Sequence, residues 1–135
     1  KFKTLNNFLK KNNTKILFES DYTPDNLKEF IEKFDKENFG INYDSGNSAS
    51  LNYDVNEEFN LYGKYIKNIH IKDRILRGKT IRLGKGNADF NNIFNNIRKI
   101  KYKKLLKLQT ARSLGKNNDI EEIKINLNFI KKKLN

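Results

Sequence analysis

Gly40-Ile41-Asn42-Tyr43-Asp44 (40–44) is a short apolar stretch that ends on an acid. Three other stretches end in the same way. Ile16-Leu17-Phe18-Glu19 ends on Glu19, Ile66-Lys67-Asn68-Ile69-His70 on His70, and Leu105-Leu106-Lys107-Leu108-Gln109 on Gln109. The successive steps, Glu19 to Asp44, Asp44 to His70 and His70 to Gln109, are 25, 26 and 39 residues. Such a step matches one strand–loop–helix–loop unit, the repeat of a β/α barrel. Parallel strands deliver their last residues to one edge of the sheet, where such folds place their chemistry. Glu, Asp and neutral His are ligands for divalent metals, and three of them leave an open site.

The segments between these strands carry helical signals. Residues 2–11 and 55–63 read as short helices, with Gly63 a candidate C-cap. Thr23-Pro24 starts a helix whose core stripe is Leu27, Phe30, Ile31 and Phe34. Asp89 can cap a helix carrying Phe90, Ile93, Phe94 and Ile97. Residues 119–134 form the last helix, with Ile120, Ile123, Leu127 and Ile130 expected on its buried face. Asn38–Gly40 reads as a turn, 44–48 as a polar loop and 73–89 as a long loop, a length that is usually functional. The alternation predicts an α/β fold: parallel (β/α) units, about four strands with their helices, in one partial barrel domain over residues 1–135. Four units are half of an eight-unit barrel and leave two sheet edges open. That predicts either a missing N-terminal half or self-association.

Composition narrows the classes further. The chain has 135 residues, no cysteine and a formal net charge of +12. Without cysteine there is no disulfide framework and no thiolate metal site. No apolar run reaches the length of a membrane span and no signal-peptide pattern is visible, so the expected location is cytoplasmic. Mean hydropathy is −0.84, yet the apolar residues are clustered and periodic, which argues against disorder. The positive charge is spread along the chain as lysines on solvated faces. With no RNA-binding aromatic motif and no helix-turn-helix pattern, nucleic acid is not an expected partner.

Each candidate has a plain alternative. Glu19 is a metal ligand and general base, or a surface acid entering a helix. Asp44 is a metal ligand beside Gly46, or an Asx-turn closing a strand. His70, the only histidine, is a ligand through neutral imidazole or a satisfied half-buried side chain. Gly84-Lys85-Gly86 before the helix at 90 either presents backbone N–H groups to a phosphate or is an ordinary loop.

Three stretches, taken in order, resemble a known family: Tyr43-Asp44-Ser45-Gly46-Asn47-Ser48-Ala49-Ser50, Ile69-His70-Ile71-Lys72-Asp73-Arg74 and Leu83-Gly84-Lys85-Gly86-Asn87-Ala88-Asp89-Phe90. They are similar to the C-terminal half of sugar phosphate isomerases/epimerases, the xylose isomerase-like TIM barrels. The resemblance spans about residues 15 to 130. It implies a divalent ion (Mn, Zn, Mg or Co) held by Glu19, Asp44, His70 and the residue at 109. It also implies that the first and last of these exchange a proton beside a substrate carbonyl, so that Glu19 and position 109 would be catalytic. The substrate would be a small sugar or sugar phosphate. From their charge, polarity and position rather than from the resemblance, Asn47, Lys72, Arg74, Lys85 and Arg112 are the candidates to orient it. The chain departs from the family at Gln109, where a glutamate is usual. An amide does not titrate near neutral pH and cannot act as a base, although its oxygen can still reach a metal. Further departures are Arg82 and Lys85, where the family tends to carry proline and glutamate, and Lys104, near which a glycine is usual. The competing expectation is therefore a non-catalytic barrel fragment that needs its N-terminal half or another partner. A related phosphodiesterase of the same barrel class would use more metals and more histidines than the single one here.

Overall fold

The computed structural model describes residues 2–111 and 119–134. Its centre is a four-stranded parallel sheet: β1 (Ile16–Phe18), β2 (Phe39–Asp44), β3 (Ile66–Ile71) and β6 (Leu106–Leu108), in the order β1-β2-β3-β6. The helices α1 (Phe2–Lys11), α2 (Pro24–Ile31), α4 (Val55–Tyr62), α5 (Phe90–Lys99) and α6 (Asp119–Leu134) fall between and around the strands. A seven-residue helix, α3 (Ser45–Leu51), follows β2 directly. The four β/α units read from the sequence are present.

Strand alternation separates two faces. Phe39, Ile41, Tyr43, Ile69 and Ile71 join a core with Leu27 and Ile31 of α2, Phe59 and Tyr62 of α4, and Ile93, Phe94 and Ile97 of α5. The opposite face carries Leu17, Asn42, Asn68, His70 and Lys107, which is polar where a barrel interior is normally filled by branched apolar residues. Lys67 is an extra residue on β3: Ile41 pairs with Ile66, but Asn42 pairs with Asn68. This bulge realigns the last residues of β2 and β3 so that Asp44 sits directly opposite His70. Beneath the first strand, Phe18, Phe30, Phe34 and Phe39 pack ring on ring at centroid separations of 4.9 to 6.1 Å and anchor the short β1 to α2.

Three expectations are corrected. Residues 45–51 are helical, not a loop. Asp44 caps this helix by accepting the N–H groups of Gly46 and Asn47, and the cap outweighs the poor helix propensity of Ser-Gly-Asn-Ser. Gly63 closes α4 as its C-cap, as expected, with a right-handed φ of −52° that leads into a 3-10 turn. The long loop contains a small antiparallel hairpin, β4 (Asp73–Arg74) with β5 (Thr80–Ile81). Last, α6 buries Glu122, Asn126 and Ile130, while Ile120, Ile123 and Leu127 are exposed. Polar clamping sets this rotation. Arg82 holds Glu122 through two N–H bonds of 2.7 and 2.6 Å, and Asn126 accepts the Leu83 N–H at 3.1 Å.

Candidate metal centre

Parallel strands bring three of the predicted ligands to one edge. Glu19 stands one residue past β1, Asp44 ends β2, and His70 is next to last in β3. One donor atom from each lies within 4.8 Å of the others, the one such group of three among the described residues. His70 Nδ1 is 3.6 Å from Glu19 Oε2 and 3.8 Å from Asp44 Oδ2.

Asp44 divides its two oxygens. Oδ1 accepts the N–H groups of Gly46 and Asn47, both at 2.9 Å. Oδ2 is buried and has no hydrogen-bond partner. A buried carboxylate oxygen without a partner costs free energy unless a cation or donor completes it. It points toward His70 and Glu19, so the residues present fit a divalent ion held by carboxylate oxygens and an imidazole nitrogen.

Asparagines order the cluster, and the candidate list drawn from the sequence left out two of them. Asn42 Nδ2 donates to Glu19 Oε2 and lies 3.2 Å from His70 Nδ1, while Asn68 Nδ2 donates to Asn42 Oδ1. The signal that finds them is period-2 alternation, because Asn42 shares a face with Asp44, and Asn68 with His70. Asn47 was expected at the site. It donates to Glu19 Oε1 at 3.1 Å and accepts from Arg74 Nη1 at 3.0 Å. Ser45 was also missed. Its hydroxyl bonds the Lys72 carbonyl at 2.6 Å and accepts the Lys72 N–H at 2.9 Å, which ties the start of α3 to the end of β3.

Of the other predicted residues, Lys72 stands as close to the cluster as its own members do. Lys72 Nζ lies 3.6 Å from Asp44 Oδ2. Arg74 reaches the cluster through Asn47. Gln109 is exposed at the carboxyl end of β6, where its N–H bonds the Ile71 carbonyl at 3.0 Å. Lys85 is exposed on the loop after β5. Arg112 lies outside the described residues. The glycine loop does not offer its backbone donors to a phosphate. The N–H groups of Gly84, Gly86 and Ala88 all go to the buried carboxylate of Asp73, at 2.9, 2.9 and 3.0 Å. A Cβ at Gly86 would meet Asp73 Oδ1 at 2.2 Å, so this close approach requires glycine.

A cleft opens beside the cluster, lined in part by Glu19, Asn42, Asp44, Asn47, Tyr53 and Glu58. Glu58 is buried and accepts hydroxyl bonds from Tyr43, Ser48 and Tyr62. Burial pushes its carboxyl above the usual range, and the three hydroxyls partly offset the shift. The same burial and the neighbouring carboxylate raise the phenols of Tyr43 and Tyr62.

Comparison with solved structures agrees with the fold. A xylose isomerase domain protein from Planctomyces limnophilus superposes with a TM-score of 0.74 at 20% identity, covering 89% of this chain and 46% of that one. An L-ribulose 3-epimerase gives 0.67 at 23% identity with the same two coverages. The IolI protein, solved with a bound zinc atom, gives 0.66 at 17% identity over 80% of this chain and 42% of its own. The chain thus spans less than half the length of these structures. No curated protein matches it significantly. The sequence profile described as xylose isomerase-like TIM barrel matches residues 2–133, nearly every residue. With its parallel β/α units and its strand-end cluster, the chain therefore belongs to the xylose isomerase-like TIM barrel family.

Proposed function

We propose that this chain carries the metal-holding half of a sugar or sugar phosphate isomerase or epimerase, working by proton transfer next to a carbonyl. The observation that carries this reading is the convergence of Glu19, Asp44 and His70 around Asp44 Oδ2, a buried oxygen with no hydrogen-bond donor. These three would hold the ion (Mn, Zn, Mg or Co), with the Gln109 side-chain oxygen a fourth candidate ligand. Bound there, the ion would supply Lewis acidity toward a carbonyl oxygen. Glu19, held by Asn42 and Asn47, takes the proton from the carbon beside the carbonyl. Gln109 can accept or donate a hydrogen bond but cannot take that proton, so its side of the site orients rather than titrates. Asn47, Lys72, Arg74, Lys85 and Arg112 are the candidates to hold hydroxyls or a phosphate.

A second reading is favoured by the 46% coverage of the neighbours and by Gln109: a barrel half that acts only with a complementary half or another partner. Metal content and affinity, measured on the wild type and on His70→Ala, test the first. About one ion per chain that is lost in the variant supports the Glu19–Asp44–His70 centre. Pentulose and hexulose phosphates are then screened for turnover. Absence of metal from both proteins overturns the catalytic reading. Stoichiometric metal without turnover favours the second.

A further inference from the structure

Asp44 Oδ2 has two claimants. One is the ion proposed above, and the inference drawn here rests on that reading. The other is already in the chain. Lys72 Nζ stands 3.6 Å from Oδ2, with side-chain exposures of 17% for the lysine and 1% for the aspartate. That separation is an ion pair, too long for a hydrogen bond, which is why the oxygen is still without a donor. Lys72 is also held in place. Its backbone N–H is bound by Ser45, and its stem crosses Gly46 so closely that a Cβ there would meet Lys72 Cγ at 2.6 Å and Cδ at 2.9 Å.

We propose that Lys72 is a built-in competitor for the metal. Its ammonium neutralises Asp44 when no ion is bound, and a divalent ion must displace it from Oδ2 on binding. The charges argue for this. Glu19 and Asp44 bring two negative charges to the cluster, and Lys72 cancels one of them. An ion touching Oδ2 and an ammonium facing the same oxygen would stand a few ångströms apart, in a partly buried setting where screening is weak. The competition lowers the affinity of the site for cations. Among the described residues only Asp44 presents an oxygen to the ammonium, so the end of the side chain can turn aside once displaced.

Calorimetric titration of the whole chain with zinc ions alone tests the proposal, using wild type, Lys72→Met, Lys72→Arg and Lys64→Met. Lys72→Met keeps the stem and removes the charge. Lys64→Met removes the same charge from an exposed position, paired with Glu32, as a control for net charge. Lys72→Met is expected to bind zinc about tenfold more tightly or better, with Lys72→Arg and Lys64→Met within about threefold of wild type. Unchanged or weaker binding in Lys72→Met, with wild type still binding, overturns the competitor and leaves the metal centre standing. No binding in any of the four overturns the metal reading, and this proposal with it. Circular dichroism and melting curves of the four proteins establish that all are folded.

Discussion

At the scale of single residues, two buried acids do different work. Asp73 is an internal acceptor. It gathers three backbone donors of the loop at 84–88 and so gives the hairpin loop a fixed shape. Glu58 has hydroxyl donors and, among the described residues, no cation paired with it, and burial raises its carboxyl above the ordinary 4.5. Between 4.5 and that raised value the folded chain binds more protons than the unfolded one. The stability Glu58 contributes is therefore whole below 4.5 and is lost as the pH rises through the folded value. Glu58→Gln does not titrate. Its stability relative to wild type is expected to climb with pH from 4.5 upward and then level off, as read by urea unfolding across a pH series. A difference that stays flat with pH would mean that Glu58 ionises in the fold as freely as in the unfolded chain.

At the scale of elements, α6 shows how a helix can be legible while its orientation is not. Its bounds were read from the sequence, but its buried face was taken from the apolar stripe at Ile120, Ile123 and Leu127. The structure turns that stripe outward, with exposures of 64%, 46% and 42%. The reason is a pair of polar contacts between residues about forty positions apart, Arg82 with Glu122 and Leu83 with Asn126, which no helical period reports. Ile130→Ala is expected to cost about 2–4 kcal/mol in urea unfolding of the isolated chain. Ile123→Lys and Leu127→Lys should each stay within about 0.5 kcal/mol of wild type. If Leu127→Lys costs as much as Ile130→Ala, the helix sits on the face its sequence pattern suggests. The helix α3 carries the complementary lesson. Its residues are weak helix formers, and one side-chain cap together with burial makes the element.

For the whole molecule, the open question is what completes the sheet. Among the described residues β1 pairs only with β2 and β6 only with β3, so two edges are unpaired. Each edge strand has three residues, and Leu105 beside β6 is 81% exposed. Among the described residues no helix is long and apolar enough to cross a membrane. Edge pairing between copies is opposed by the net charge of +12. Sedimentation of the isolated chain is expected to show monomers at low salt. Its apparent mass should grow with protein concentration once salt shortens the Debye length from ~30 Å at about 0.01 M to ~3 Å at about 1 M. An apparent mass that ignores salt would mean that the short edges already block pairing by themselves.

By itself the sequence determined the repeat of strand and helix and the edge at which Glu19, Asp44 and His70 meet. Apolar periodicity and strand spacing are local, and parallel strands necessarily end on the same side. Only the tertiary structure decided how Asp44 divides its oxygens, that Lys72 faces the free one, that Asn42 and Asn68 brace the cluster, that Asp73 takes the loop's donors, and which way α6 turns. These depend on contacts of 2.5 to 4 Å between distant residues, where one bulge or one ion pair redirects a side chain. Periodicity along the chain carries no record of such contacts.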